Sequence, residues 1–237
     1  MIEISFFVPV YNEENSIKQN LSKIYSFLHK NFKSFELIVV DDNSNDGSQK
    51  IIKELMKSKK IKLIECNKGP TRRENLAQSF LQAKSDIIMF FDSDSIQSLN
   101  GLPRLVEEIK KGKDIAIGSR YAQGSKIKRK IFRLLLSFLY NKFIRFYFNS
   151  KIRDHNGSKV FNRKKLTELI KEIGYDNSFS RGWFWDAELL IRAQKKEMKI
   201  IELPVVWYDQ RKSSFNLSRE IKMIPYIFHF KKKLRLK

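Results

Sequence analysis

Apolar runs that end on polar, acidic residues recur from Met1 to Arg120, with longer helical patterns between them. This alternation constrains the fold more than any other feature. Strands separated by helices must be joined by right-handed crossovers into a mostly parallel sheet covered on both faces. Residues 4–10, 36–40, 61–65, 86–91 and 114–119 read as strands, each rich in Ile, Leu, Val or Phe. Between them, residues 13–30 carry Ile17, Leu21, Ile24, Tyr25 and Leu28 at helical spacing. Further helices are expected from near Gln49 and over residues 74–83. Sheets of this kind bind ligands outside the carboxyl ends of their strands. The polar residues collect at those ends, in Tyr11-Asn12-Glu13-Glu14, in Asp41-Asp42-Asn43-Ser44 and in Asp92-Ser93-Asp94.

After Arg120 the pattern changes. Residues 126–147 are both basic and rich in Leu, Ile and Phe, and Ile131, Leu134, Leu135, Phe138 and Leu139 line one helical face. Residues 219–237 repeat the theme, with Ile221, Met223, Ile224, Ile227 and Phe228 ahead of Lys231, Lys232, Lys233 and Arg235. Such a helix suits either a bilayer interface, with its cations among the headgroups, or the surface of the sheet. Its occurrence twice favours the membrane surface. The whole chain carries 47 Lys+Arg against 26 Asp+Glu, a formal charge of +21 over 237 residues. That field attracts polyanions: nucleic acid, an anionic membrane or a phosphorylated substrate. Cys66 is the only cysteine, which excludes an intrachain disulfide and points to a reducing compartment. No stretch reaches the roughly 18 apolar residues of a spanning helix, so any membrane contact is expected to be peripheral. The first residues run directly into a strand with no basic leader, so a signal peptide is not expected.

Asp92 and Asp94 follow the apolar strand Ile87-Ile88-Met89-Phe90-Phe91. Carboxylates two apart at a bend can both reach one hard cation, and Mg²⁺ and Mn²⁺ combine one or two carboxylates with substrate phosphates. The same triplet elsewhere makes turns and helix caps. Its setting among two other acidic strand ends favours the metal, because such ends repel one another unless cations or donors lie among them.

With these motifs the chain resembles the inverting family 2 glycosyltransferases over nearly all its length. The resemblance implies a three-layer α/β/α fold around a mostly parallel mixed sheet of the nucleotide-sugar-binding type called GT-A, with amphipathic interface helices. It assigns Pro9, Tyr11, Glu13 and Asp41 to the nucleotide of the donor, and Asp92 and Asp94 to a divalent metal, with Asp94 catalytic. Within the family the chain is most similar to the dolichyl- and polyprenyl-phosphate sugar synthases. Residues 154–163 (DHNGSKVFNR) resemble their Asp-x-x-x-Gly-Phe-Lys-x-Phe-x-Arg segment, with Gly157 one place early. Residues 183–190 (WFWDAELL) are similar to their Phe-Asp-x-Glu-Leu-Leu, and 201–207 (IELPVVW) to their Glu-x-Pro-Val-x-Trp strand. By this likeness Asp186 and Glu188 face the donor sugar, and Trp183 or Trp185 stacks on its ring. Without it, the same residues read as a helix start with tryptophans in the core.

Gly118-Ser119-Arg120 and the Arg133-x-x-x-Ser137 pair resemble the acceptor side of the same enzymes. Arg133 and Ser137 lie one helical turn apart, so both reach one phosphate, with Arg120 as a third donor. Arg211 and Lys212 fall where the family has a mobile basic loop that closes over the donor diphosphate. Two departures stand out. Ile96 stands where the family's Asp-x-Asp-x-Gln has its glutamine, with Gln97 one place later, and Lys68-Gly69-Pro70-Thr71-Arg72-Arg73-Glu74-Asn75 replaces a glycine-rich stretch. The expected reaction is inverting transfer of a hexose from GDP-mannose or UDP-glucose to a polyprenyl or dolichyl phosphate, with Mn²⁺ or Mg²⁺. A phosphate acceptor needs no general base; a sugar hydroxyl does, and Asp186 is then the candidate. A glycan or protein acceptor keeps the donor site but does not require Arg133 or Ser137. A nucleic-acid partner is not expected, since it leaves the acidic strand ends unexplained. One domain over 1–237 is expected, with a nucleotide-binding half to 120, an acceptor half over 121–218 and a basic tail over 219–237. The likeness places it at the cytoplasmic face of a membrane, with a separate membrane subunit left open.

Overall fold

The expected alternation runs through the first half of the chain: β1 (Ile4–Val10), α1 (Ile17–Asn31), β2 (Phe35–Asp41), α2 (Ser48–Met56), β3 (Ile61–Glu65), α3 (Glu74–Ser79), β4 (Ile87–Phe90), α4 (Leu102–Lys110) and β5 (Ile115–Ser119). A 3₁₀ turn at Phe80–Gln82 prolongs α3. Then follow β6 (Lys126–Lys128), α5 (Ile131–Phe148), β7 (Ser158–Asn162), α6 (Arg163–Ile173), α7 (Phe184–Lys195), β8 (Ile200–Pro204), β9 (Val206–Tyr208) and α8 (Ile224–Arg235). The structure, a computed structural model, describes residues 2–71, 73–93, 99–175, 181–208 and 221–235.

Seven strands form one sheet in the order β3-β2-β1-β4-β7-β5-β8. All pairs are parallel except those of β7, which runs antiparallel between β4 and β5. The carboxyl ends of β1, β2, β3, β4, β5 and β8 therefore share one edge, and β7 starts there. In the register, Val10 stands beside Asp41, Asp41 beside Glu65, and Phe90 beside Lys159.

Alternate residues of the strands feed two cores. On one face Phe6, Val8 and Met89 pack against Leu21 and Leu28 of α1, Ile52 of α2 and Val106 of α4. On the other, Phe7, Ile38 and Ile117 pack against Leu76 and Phe80, Leu166 and Leu169 of α6, and Trp185 and Leu189 of α7. These strands are covered on both sides, and their near-continuous apolar runs follow from that.

A third cluster lies outside these layers. Phe184, Ala187 and Ile191 turn the far side of α7 towards Ile144 and Phe148 of α5 and Tyr226, Ile227 and Phe230 of α8. Helix α7 is thus buried all round, sandwiched between the sheet layer and the α5–α8 pair. The two basic amphipathic segments therefore pack on α7 and each other rather than directly on the sheet. Helix α5 gives only one stripe to this contact. Ile131, Phe132, Leu135, Phe138, Leu139, Phe143 and Phe146 are exposed, and their spacing places them on one opposite face. Among the described residues no helix is long and apolar enough to cross a membrane.

Candidate active site

The loops after β1 and β2 interlock at the shared edge. Asn12 adopts a left-handed conformation, φ 52°. Its backbone N–H donates to Ser44 Oγ at 3.0 Å, and its side chain exchanges two hydrogen bonds of 2.9 Å with Asn45. The Glu13 N–H donates to Ser48 Oγ at 2.8 Å, and Gly47 N–H to the Glu14 carboxylate at 2.7 Å. Glu13 also accepts from the buried Ser93 hydroxyl, tying the end of β1 to that of β4. Tyr11 is exposed at this mouth, and Pro9 sits within β1 opposite Val40. Pro9, Tyr11, Glu13 and Asp41 thus stand at one edge as the sequence suggests.

Asp41 is wholly buried. One carboxylate oxygen accepts from the Ser44 N–H at 3.1 Å and Gln49 Nε2 at 2.7 Å. The other, Oδ1, is buried with no hydrogen-bond partner among the described residues. A buried carboxylate oxygen left bare is costly unless a donor reaches it, and a nucleobase or ribose carries such donors. Asp42 next to it is fully engaged by the segment that departs from the family pattern. Thr71 donates to it from its N–H at 2.9 Å and its hydroxyl at 3.1 Å, and Asn75 Nδ2 at 2.6 Å. Gly69 is required at this approach, because a Cβ there would stand 2.5 Å from the Asp42 carbonyl oxygen.

The same segment delivers a residue that the sequence reading passed over. Arg73 Nε donates to Asp186 Oδ2 at 3.1 Å, Nη1 to Asp92 Oδ1 at 3.1 Å and Nη2 to Asp92 Oδ2 at 3.4 Å. Its guanidinium lies 5.1 Å from the centre of the Phe90 ring. Lys159, from the start of β7, donates to Asp186 Oδ1 at 2.9 Å and is itself buried. Burial works against the charge on Asp186, but Lys159 and then Arg73 outweigh it and hold its carboxyl below the usual range. Arg73 is shifted the other way: burial opposes its charge, and Asp92 and Asp186 more than restore it.

Several expected roles are corrected by this packing. Trp185 is buried between α7 and the sheet, so its ring has no open face for a sugar; Trp183, at the N-terminus of α7, is partly exposed. Glu188, two residues after Asp186 and so on the other side of α7, is wholly buried. It accepts from Arg192 Nε at 2.9 Å, from Nη2 at 2.7 Å and from the Tyr226 hydroxyl at 2.7 Å, and Arg181 stands 3.8 Å away. It ties α7 to α8 instead of facing donor hydroxyls. Arg120 is buried too, donating to Asp154 from its N–H and Nε at 2.8 Å and from Nη2 at 2.6 Å. The pair fixes the end of β5 rather than offering the guanidinium to an acceptor. Burial opposes the Asp154 charge, and Arg120 overrides it, keeping that carboxyl below its usual range. Ser137 accepts from the Tyr121 hydroxyl at 2.8 Å, and Arg133 is half-buried one turn before it on α5. Asp94, Arg211 and Lys212 lie outside the described residues.

Among the described residues no group of three His, Cys, Asp or Glu side chains has the spacing of a metal site. The donor chemistry at Asp92 nonetheless fits a hard divalent ion: its carboxylate is 48% exposed at the strand end, with the Arg73 guanidinium set against it as counter-charge.

The buried Asp41 beside β1, the half-exposed Asp92 after β4 and the doubly paired Asp186 on α7 thus gather at one sheet edge. The family model of Glycosyl transferase family 2 matches residues 5–170, and the chain belongs to that family. Glycosyltransferase AglD of Haloferax volcanii is 31% identical over 93% of this chain and 35% of its own length. The dolichyl-phosphate beta-glucosyltransferase of Saccharomyces cerevisiae is 27% identical over 88% of this chain and 67% of its own. The chain thus spans about a third of the first of these relatives. Among solved structures, glucosyl-3-phosphoglycerate synthase from Mycobacterium tuberculosis with Mn²⁺, UDP-glucose and phosphoglyceric acid superposes with a TM-score of 0.66. That likeness, at 18% identity over 97% of this chain and 79% of the other, is one of fold.

Proposed function

We propose that the protein transfers a hexose from a nucleotide-diphosphate sugar, GDP-mannose or UDP-glucose, to a polyprenyl or dolichyl phosphate at a membrane surface, with inversion. The observation that carries the acceptor is the state of Asp186. A buried carboxylate clamped by Lys159 and Arg73, with its acidity raised by both, is a weak proton acceptor at neutral pH. An acceptor that arrives already ionised needs no such group, and a lipid phosphate is ionised. The phosphate oxygen forms the new bond to the anomeric carbon while the bond to the donor diphosphate breaks. The electron pair leaves with the nucleoside diphosphate, and no proton moves.

The chain's own residues supply positions and charge. Asp41 Oδ1 is the acceptor for a donor on the nucleoside, with Tyr11 and Glu13 at the same mouth. Asp186 is fixed by two cations and orients the sugar, while Arg73 and Lys159 hold positive charge beside the departing diphosphate. Asp92 and Asp94 would hold the divalent ion, which on binding stabilises the negative charge of the leaving diphosphate. Arg133 and Ser137 receive the acceptor phosphate, and Arg211 and Lys212 close over the donor. The exposed face of α5, flanked by Lys126, Lys128, Lys130, Lys142 and Arg145, rests on the bilayer at the cytoplasmic side. Residues 1–237 form a single glycosyltransferase domain, with a nucleotide-binding half to 120, an acceptor half over 121–218 and a basic tail over 219–237.

Labelled GDP-mannose and UDP-glucose, each offered with polyprenyl phosphate in vesicles and Mn²⁺ or Mg²⁺, test this directly. Label should pass to lipid from one donor and disappear with Asp94→Ala. Transfer to a free sugar hydroxyl with none to lipid would overturn the acceptor, and full activity of the Asp94 variant would overturn the metal.

A further inference from the structure

Arg73 occupies the place that a divalent ion needs. Its Nη1 and Nη2 contact the two carboxylate oxygens of Asp92 at 3.1 and 3.4 Å, and those oxygens are the ones a metal would ligate. The two ends of the guanidinium are held unequally. Nε is tied to Asp186, which is buried and has Lys159 as a second cation. The Nη end meets Asp92, whose carboxylate is half exposed and able to exchange partners with solvent. The side chain can therefore swing off Asp92 while keeping its hold on Asp186. Lys159 stays fixed at Asp186, so that carboxylate keeps a cation when the Nη end of Arg73 moves, and Asp92 is left open.

We propose that Arg73 is a resident cation of the metal subsite, which competes with the divalent ion for Asp92 in the free enzyme. A planar guanidinium matches diphosphate oxygens as well as it matches a carboxylate. The incoming nucleotide diphosphate offers Arg73 a second anion, draws its Nη end from Asp92 and exposes the carboxylate. Metal and donor then enter together, and the metal alone binds weakly. Like charge reinforces this: a divalent ion on Asp92 would stand within a few ångströms of an unmoved guanidinium. The segment 68–75 that departs from the family's glycine-rich stretch is what brings this cation to the site, since Asp42 holds Thr71 and Asn75 on either side of it.

This rests on Asp92 being a metal carboxylate, and the test separates the two claims. Mn²⁺ affinity is measured by electron paramagnetic resonance, without nucleotide and with saturating UDP or GDP, for the wild type, Arg73→Gln, Arg73→Lys and Asp92→Asn. Without nucleotide, Arg73→Gln should bind Mn²⁺ about tenfold or more tightly than the wild type. The gap should narrow once nucleotide is added. Arg73→Lys keeps the charge but cannot span both carboxylates, so it should also bind Mn²⁺ alone more tightly, and it stands in if the glutamine variant does not fold. Affinity in the folded Arg73 variants equal to or below wild type would overturn the competition. If Asp92→Asn loses nucleotide-dependent Mn²⁺ binding while the Arg73 variants match wild type, only the competition fails. If Asp92→Asn binds Mn²⁺ as wild type does, the metal role of Asp92 fails and the competition with it.

Discussion

Replacing Asp154 by asparagine should destabilise the protein by about 3 kcal/mol at neutral pH. The carboxylate is fully buried and accepts three hydrogen bonds from Arg120 and a fourth, at 3.2 Å, from the Asn156 N–H. Asparagine keeps the shape but leaves the Arg120 charge without its anion. Removing one partner of a buried pair costs roughly 3–5 kcal/mol. The low end applies because Arg120 keeps the Trp207 and Tyr121 rings at 5.4 and 5.8 Å. For a chain of this size that is a fall of about 6–12 °C in Tm. The pH dependence has a definite sign. The folded-state acidity of Asp154 is raised, so its stabilisation is present above the unfolded value and lost as pH falls through the folded one. Wild type and variant should therefore converge in acid. Urea titrations monitored by tryptophan fluorescence at neutral and acid pH measure both effects. A loss below about 1 kcal/mol at neutral pH would show that Arg120 does not depend on Asp154. The assignment of Arg120 to the acceptor phosphate would then return.

Lys159→Met leaves Asp186 buried with Arg73 as its remaining cation, so its carboxyl should titrate at higher pH. Activity should fall about tenfold or more, and further in mildly acid than in mildly alkaline buffer; a pH–rate profile of unchanged shape would contradict this. Asp41→Ala removes the bare Oδ1 and should weaken nucleoside diphosphate binding about tenfold, measured by calorimetry. Tyr226→Phe deletes the hydroxyl donated to Glu188 and should cost about 1–3 kcal/mol in urea denaturation. Phe132→Glu and Phe146→Glu, at positions 65% and 87% exposed, should leave Tm unchanged. Each should reduce sedimentation with anionic vesicles roughly tenfold.

The parts of this fold that were legible in the sequence are those where one physical signal dominates. β1, β2 and β4 are doubly covered and show as near-continuous apolar runs that lead into polar, acidic residues. β7 is not, because Ser158-Lys159-Val160-Phe161-Asn162 is short and has a lysine at a buried position. That lysine makes sense only once Asp186, far along the chain, is folded against it. The strand-end loops were legible as a group because topology forces them together. The roles within α7 were misassigned for Trp185 and Glu188, since a motif does not say that a third layer will bury the helix's outer side. Arg73 was missed because its partners lie 19 and 113 residues away. The one cue was the replacement of a glycine-rich stretch by Lys68–Asn75.

The antiparallel β7 also governs the order in which the molecule can be made. It lies between β4 and β5, yet it is translated after both and after the eighteen-residue α5. Until Asn162 has emerged from the ribosome, β4 has an unpaired inner edge and β5 has no strand to pair with. A chain cut after Arg120 would carry the ends of β1, β2 and β4 and still lack β7, the strand that joins β4 to β5. Its exposed backbone edge would invite pairing with a second copy, so such a fragment should be recovered as aggregate.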